Sequence, residues 1–120
     1  MSDIQQANIP ASTVTLLTSA ARTATVTGSA VTGLAAAKQL VMQLNVSAAS
    51  GTSPTLDVVV QDTVDGTNYN TIATFAQATG VTREVIRLTT AFTDQLRVVG
   101  TIAGTTPSFT CEVLTWADSN

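Results

Sequence analysis

The sequence predicts an all-β domain, an antiparallel sandwich or barrel of about eight strands, on three observations. Residues 56–61 alternate between the two sides of the chain, which is typical of a strand that buries one face. An Asp65-Gly66 step separates that run from a second β-rich run over 69–75, and Asp-Gly favours a tight hairpin turn because glycine adopts positive φ. Turn signals recur at short, regular spacing elsewhere, with almost no helical pattern.

The remaining elements follow from alternation and from clusters of Gly, Pro and Ser. Turns are predicted at 19–22, 49–54, 78–80 and 104–107, and residues 28–37 form a loop with one short helical turn as an alternative. The first two strands lack a strong apolar face, so we expect them at an edge or paired with another chain. The predicted strands are 13–18, 23–27, 38–47, 56–61, 69–75, 81–90, 96–102 and 109–113.

The domain organisation follows from this pattern. Residues 1–12 are polar and aperiodic, and they predict an extended N-terminal arm that is either disordered or docked on a partner. Residues 13–116 form a single domain, and residues 117–120 form a C-terminal tail. A chain of 120 residues is long enough to bury a core without metal or disulfide staples.

The charge content is low, at 11% against about 25% in an average soluble domain. Threonine fills much of the gap, which indicates either a Thr-rich sheet face in solvent or a neutral surface covered by neighbours in an assembly. The net charge is −3 and the five basic residues are scattered, so no nucleic-acid partner is expected. No membrane-spanning run and no signal peptide are recognised, so we expect no membrane partner and no secretion through a signal sequence.

The residue types predict that the protein is not an enzyme and holds no cofactor or metal. There is no histidine, which removes Ser–His and Cys–His nucleophiles and the commonest metal ligand. The single cysteine, Cys111, lies on the apolar side of a predicted strand and is interpreted as a small buried hydrophobe. Residues 62–68 have some features of a calcium loop, but Val64 and Gly66 stand where oxygen ligands are needed, so a turn is favoured.

Three stretches carry a family resemblance: Leu-Asp-Val-Val-Val-Gln-Asp-Thr-Val-Asp-Gly-Thr-Asn-Tyr at 56–69, Leu-Arg-Val-Val-Gly-Thr-Ile at 96–102 and Gly-Thr-Thr-Pro-Ser-Phe-Thr at 104–110. Over residues 38–115 the chain resembles short structural proteins of tailed bacteriophages and prophages, although Tyr69 stands where a Trp is common. The resemblance implies a jelly-roll-like or immunoglobulin-like antiparallel β-sandwich that acts in the virion as a capsid decoration (cement) protein. It transfers no catalytic residue.

The expected partners are the major capsid protein and further copies of the chain, which would form a homodimer or homotrimer. The expected location is the capsid surface of a virion that is assembled in the host bacterial cytoplasm. Removal of residues 1–12 is expected to weaken capsid binding and leave the domain folded. A tail or neck protein is one alternative, and a carbohydrate-binding module that uses Tyr69 and Trp116 is another. The candidate interface residues are Ile4, Ile9, Pro10, Val14, Leu16, Val26 and Trp116.

Overall fold

The protein is all-β in the computed structural model, which describes residues 12–88 and 90–118. Those residues form one hydrogen-bonded, antiparallel sheet of six strands and no helix. In that part of the chain there is accordingly no helix that could span a membrane. The strands are β1 (Ser12–Arg22), β2 (Val26–Thr27), β3 (Gln39–Thr63), β4 (Tyr69–Thr74), β5 (Thr82–Leu88) and β6 (Gln95–Asp118).

Two long strands, β3 and β6, form the centre of the sheet and pair antiparallel from Gln39↔Asp118 to Thr63↔Gln95. The first half of β3 also pairs with β5, and its second half pairs with β4. The second half of β6 pairs with β1, whereas the short β2 pairs with its first half. The sheet therefore has two parts of four strands each, β1-β6-β3-β5 and β2-β6-β3-β4, which share the two long strands.

The long strands bend where the two parts meet. The β3–β6 register shifts between residues 46 and 48, 50 and 52, and 52 and 55. Positive φ angles fall at the same place on both strands, at Gly51 (115°) and Ser53 (50°) on β3 and at Gly104 (123°) and Thr106 (47°) on β6. The Gly, Ser and Pro residues of this region thus change the direction of two continuous strands.

This bend explains the main difference from the prediction. The turns expected at 49–54 and 104–107 lie inside β3 and β6, and the turn expected at 19–22 lies inside β1. Residues with turn propensity stay within these β-strands because the neighbouring strand of the sheet supplies partners for their backbone hydrogen bonds. The described residues contain six strands, and the predicted count of eight came from dividing β3 at 49–54 and β6 at 104–107.

The hairpin at Asp65-Gly66 is confirmed and joins β3 to β4, with Gly66 at φ 82°. Residues 28–37 are a loop without helix, also as predicted. That loop is held against the start of β6, because Val31 and Leu96 exchange backbone hydrogen bonds of 2.8 and 2.9 Å. The boundaries expected for the arm and tail fall within strands, since β1 begins at Ser12 and β6 runs to Asp118.

A single aliphatic core contains residues from both parts of the sheet. In β3 the buried residues alternate with half-buried ones on either side of the bend, as the period of two requires. The sparse aromatics contribute Phe75 and Phe109, which are 2% and 0% exposed. The fully buried side chains include Leu40, Met42, Leu44, Val46, Leu56, Val58, Val60, Leu96, Val98, Phe109 and Val113.

Candidate interaction surfaces

The carboxylates of the described residues are engaged in structural hydrogen bonds. Asp94 accepts from the backbone N–H groups of Gly33 (3.1 Å) and Ala35 (2.9 Å), and these bonds lower its pKa. Asp62, which is buried, accepts from the N–H of Thr93 at 3.0 Å. No group of three acidic or Cys side chains within residues 12–88 and 90–118 is arranged to hold a metal ion.

The loop after β3 has the geometry of a capped turn. Asp65 Oδ1 accepts the N–H groups of Thr67 and Asn68, both at 2.8 Å, and Oδ2 accepts the amide of Asn68 at 2.8 Å. These bonds, led by the Asn68 backbone, hold the pKa of Asp65 well below its usual range. The carboxylate oxygens face donors of their own loop, as the turn interpretation predicts.

Cys111 is a buried core residue, as predicted, with 1% of its surface exposed. Burial raises the pKa of its thiol, and the nearby positive charge of Arg22 opposes that rise. Arg22 donates from Nη2 to the carbonyl of Thr18 at 2.7 Å, while its buried Nε has no hydrogen-bond partner among the described residues.

A polar cluster that the sequence did not reveal lies on the β2-β6-β3-β4 part of the sheet. The Arg97 guanidinium stacks over the Tyr69 ring at 3.7 Å from its centroid and donates from Nε to Gln61 Oε1 at 2.9 Å. Gln95 donates to the Tyr69 hydroxyl at 2.7 Å. One face of the Tyr69 ring is thus covered by Arg97, which leaves less of it free for stacking on a sugar.

The first surface of interest is a groove beside β1, which we call the edge groove. It has a volume of about 280 Å³ and lies between β1 and residues 26–31. In the described part of the chain, β1 pairs with β6 alone, so its other edge has no strand partner. Leu16 and Val26, two of the predicted interface residues, line this groove, although Leu16 is 3% exposed and belongs mostly to the core.

The other predicted interface residues lie apart from this groove. Val14 lines a smaller cavity of about 170 Å³ with Leu34 and Ala117. Trp116 is 45% exposed and lies on the solvent side of the sheet. Ile4, Ile9 and Pro10 fall outside the described residues. The structure therefore brings Leu16 and Val26 together and separates them from Trp116.

The second surface surrounds Trp116, and we call it the outer face. The register places Trp116 beside Val41, and Leu114 beside Gln43, which in turn faces Val85 on β5. Val85 is 41% exposed, and a shallow cavity of about 190 Å³ lies between these side chains. The outer face consists of Arg83, Val85 and Arg87 on β5, Val41, Gln43 and Asn45 on β3, and Glu112, Leu114 and Trp116 on β6.

Sequence reasoning missed the outer face because it considered each strand separately. The available signal was apolar residues at polar positions of alternating strands, namely Val41, Val85 and Leu114. Only the strand order shows that these residues are neighbours of Trp116.

Comparisons with protein-family models, with curated proteins and with solved structures gave no match to this chain.

Proposed function

We propose that this chain is a non-enzymatic structural protein of a tailed-bacteriophage virion, a capsid decoration protein that binds the major capsid protein and stabilises the head. The proposal begins from the resemblance over residues 38–115. The structure supports it with a sheet that presents, among the described residues, an unpaired edge at β1 and an outer face on which Val85 and Trp116 are exposed. Such surfaces suit a protein that acts through contact area rather than through a reactive group.

The observation that carries the proposal is the free edge of β1. Ser12–Arg22 is an eleven-residue strand without a charged residue before Arg22. Edge strands of free-standing proteins usually carry charges or prolines that prevent pairing with another chain. An uncharged edge beside a groove can instead accept a strand of a partner.

We also propose that the bent sheet forms a β-sandwich of the jelly-roll-like or immunoglobulin-like kind. Both parts of the sheet contribute to one core, and the molecule measures 55 × 30 × 20 Å. A straight strand the length of β3 would span roughly 80 Å, which exceeds the longest dimension of 55 Å, so the strand bends. A thickness of 20 Å fits two layers about 10 Å apart.

The test uses particles that lack this protein, to which the full chain is added back. We expect saturable binding to the capsid surface and an increase in the temperature at which the head releases DNA. A chain without residues 1–12 and the variant Thr18→Lys, which puts a cation into the edge groove, are expected to bind more weakly and to remain folded by circular dichroism. The matched control is Thr71→Lys on β4, which is also exposed.

Labelled protein seen at the tail or neck by electron microscopy would favour that alternative. Absence from particles would contradict the virion role. Unchanged capsid occupancy by both altered chains would show that neither the arm nor the β1 edge contributes to capsid binding.

A further inference from the structure

We infer that the outer face is a self-complementary surface that joins two copies of this chain about a two-fold axis. This inference goes beyond the capsid role and does not depend on it. It rests on how the register arranges nine side chains in three rows. In the first half of β3, Val41, Gln43 and Asn45 each have one neighbour on β5 and one on β6.

The three rows differ in chemistry between the two sides of β3. Asn45 lies between Arg83 and Glu112. Gln43 lies between Val85 and Leu114. Val41 lies between Arg87 and Trp116. The β5 side therefore carries Arg, Val, Arg and the β6 side carries Glu, Leu, Trp, in the same row order.

Consider a two-fold axis that runs parallel to β3, midway between two copies whose outer faces are opposed. Rotation about this axis leaves each row at the same position along the strands and exchanges the β5 side with the β6 side. It places the β5 side of one copy over the β6 side of the other. Arg83 then faces the other copy's Glu112, Val85 faces its Leu114 and Arg87 faces its Trp116. These are an ion pair, an apolar pair and a cation–π pair.

The central strand meets itself in this arrangement. Val41 lies over the second copy's Val41, and the amide of Gln43 lies over its own equivalent, where each can donate to the other. Packed sheets lie about 10 Å apart and cross at about 30°. The crossing displaces the outer rows by a few ångström, which the long side chains of Arg and Glu can span.

The two arginines are available for these contacts. Neither Arg83 nor Arg87 forms a hydrogen bond or an ion pair with another described residue. Within one copy, Arg83 and Glu112 are two strands apart, roughly 10 Å, with Asn45 between them. Asn45 donates to Glu112 Oε2 at 3.2 Å, which holds this carboxylate in the outer face.

The size of the face sets the expected strength. Three strands of five residues each cover an area of roughly 15 × 17 Å. Even after the side chains are added, this area is well below the ~800 Å² that each partner buries in a standard interface. We therefore expect a reversible dimer with a dissociation constant in the micromolar range or weaker. On a lattice of many copies such a contact is sufficient, because neighbours raise the local concentration.

Trp116 is the single tryptophan of the chain, so its fluorescence reports on this face alone. The experiment measures the mass of the full-length chain by sedimentation velocity from about 5 µM to 1 mM, together with tryptophan emission. We expect concentration-dependent dimerisation and a blue shift of the emission as the second copy covers the indole.

Matched variants test whether the outer face forms the dimer contact. Val85→Glu is expected to abolish the dimer, whereas Val64→Glu, at an exposed valine in the loop after β3, is expected to leave it unchanged. Arg83→Glu and Glu112→Arg are each expected to weaken the dimer at least about tenfold, because each like-charge contact occurs twice in a two-fold dimer. The double exchange is expected to restore it. Circular dichroism and urea unfolding check that each variant is folded.

A chain that remains a monomer at 1 mM overturns the inference. A dimer that survives Val85→Glu without an emission shift forms through another surface and also overturns it. Failure of the double exchange to restore the dimer rejects the pairing of Arg83 with Glu112 and with it the proposed axis. None of these outcomes depends on phage particles, so this inference and the capsid role can fail separately.

Discussion

The bend shared by β3 and β6 depends on Gly104, and replacing it by alanine tests how rigid that bend is. Gly104 has φ 123°, a conformation that residues with a Cβ rarely adopt. An added Cβ would lie 2.9 Å from Pro54 Cα and 2.9 Å from the Ser53 carbonyl oxygen. Both atoms belong to the backbone of the paired strand, so they cannot move aside as a flexible side chain would.

The expected cost has two parts. A residue held in an unfavourable region of φ costs about 1–3 kcal/mol. Insertion of an atom into a closely packed position costs about 1–3 kcal/mol more. We therefore expect Gly104→Ala to lower the free energy of unfolding by about 3 kcal/mol, which corresponds to roughly 12 °C in melting temperature for a domain of this size. That is a large share of the 5–15 kcal/mol typical of a folded domain.

Two other glycines separate the two parts of this cost. Gly33 has φ 90° and no atom within 4 Å of an added Cβ, so Gly33→Ala measures the backbone conformation alone, about 1 kcal/mol. Gly80 has neither a positive φ nor a close neighbour, so Gly80→Ala is expected to change stability by less than about 1 kcal/mol in either direction. Urea unfolding followed by circular dichroism gives all three values.

The order Gly104→Ala, Gly33→Ala, Gly80→Ala, from most to least destabilising, is the prediction. Equal stability of the Gly104→Ala and Gly80→Ala variants would refute the reasoning, because it would mean that the two strands can separate at the bend at no cost.

Two further predictions concern the core and the hairpin. Phe109→Ala is expected to lower the free energy of unfolding, measured in urea, by about 3–5 kcal/mol, because the ring is fully buried. Val64→Ala, at a position that is 87% exposed, is expected to leave it unchanged. Similar values for the two variants would contradict the core assignment. Asp65→Asn is expected to lower the free energy of unfolding at pH 7, because the pKa of Asp65 is lower in the folded state than in the unfolded state. Such a carboxylate stabilises the fold above its unfolded pKa and loses that effect as the pH falls. The difference in unfolding free energy between variant and parent is therefore expected to shrink below about pH 4. A pH-independent difference in unfolding free energy would show that the charge of Asp65 has no such role.

Local chemistry determined much of this protein. The alternation over 56–61 and 38–47 predicts the strand faces correctly, because a period of two is a property of the extended backbone itself. The hairpin at Asp65-Gly66 is equally local, since Asp65 bonds to residues two and three positions ahead and Gly66 supplies the positive φ. The burial of Cys111 follows from its place in an alternating strand.

Other features depend on which strands are neighbours, and no residue encodes them alone. The predicted turns at 49–54 and 104–107 became a bend within two strands because each lies beside the other and closes its hydrogen bonds. The outer face exists because the sheet places β5 and β6 on opposite sides of β3, which brings Arg83 and Glu112 into one row although they are far apart in the chain. In the regularly alternating strands the sequence alone determined the direction of the side chains, whereas in β1 the adjacent Leu16 and Leu17 are both buried. Pairing between distant strands, a tertiary property, decided the neighbours of each side chain.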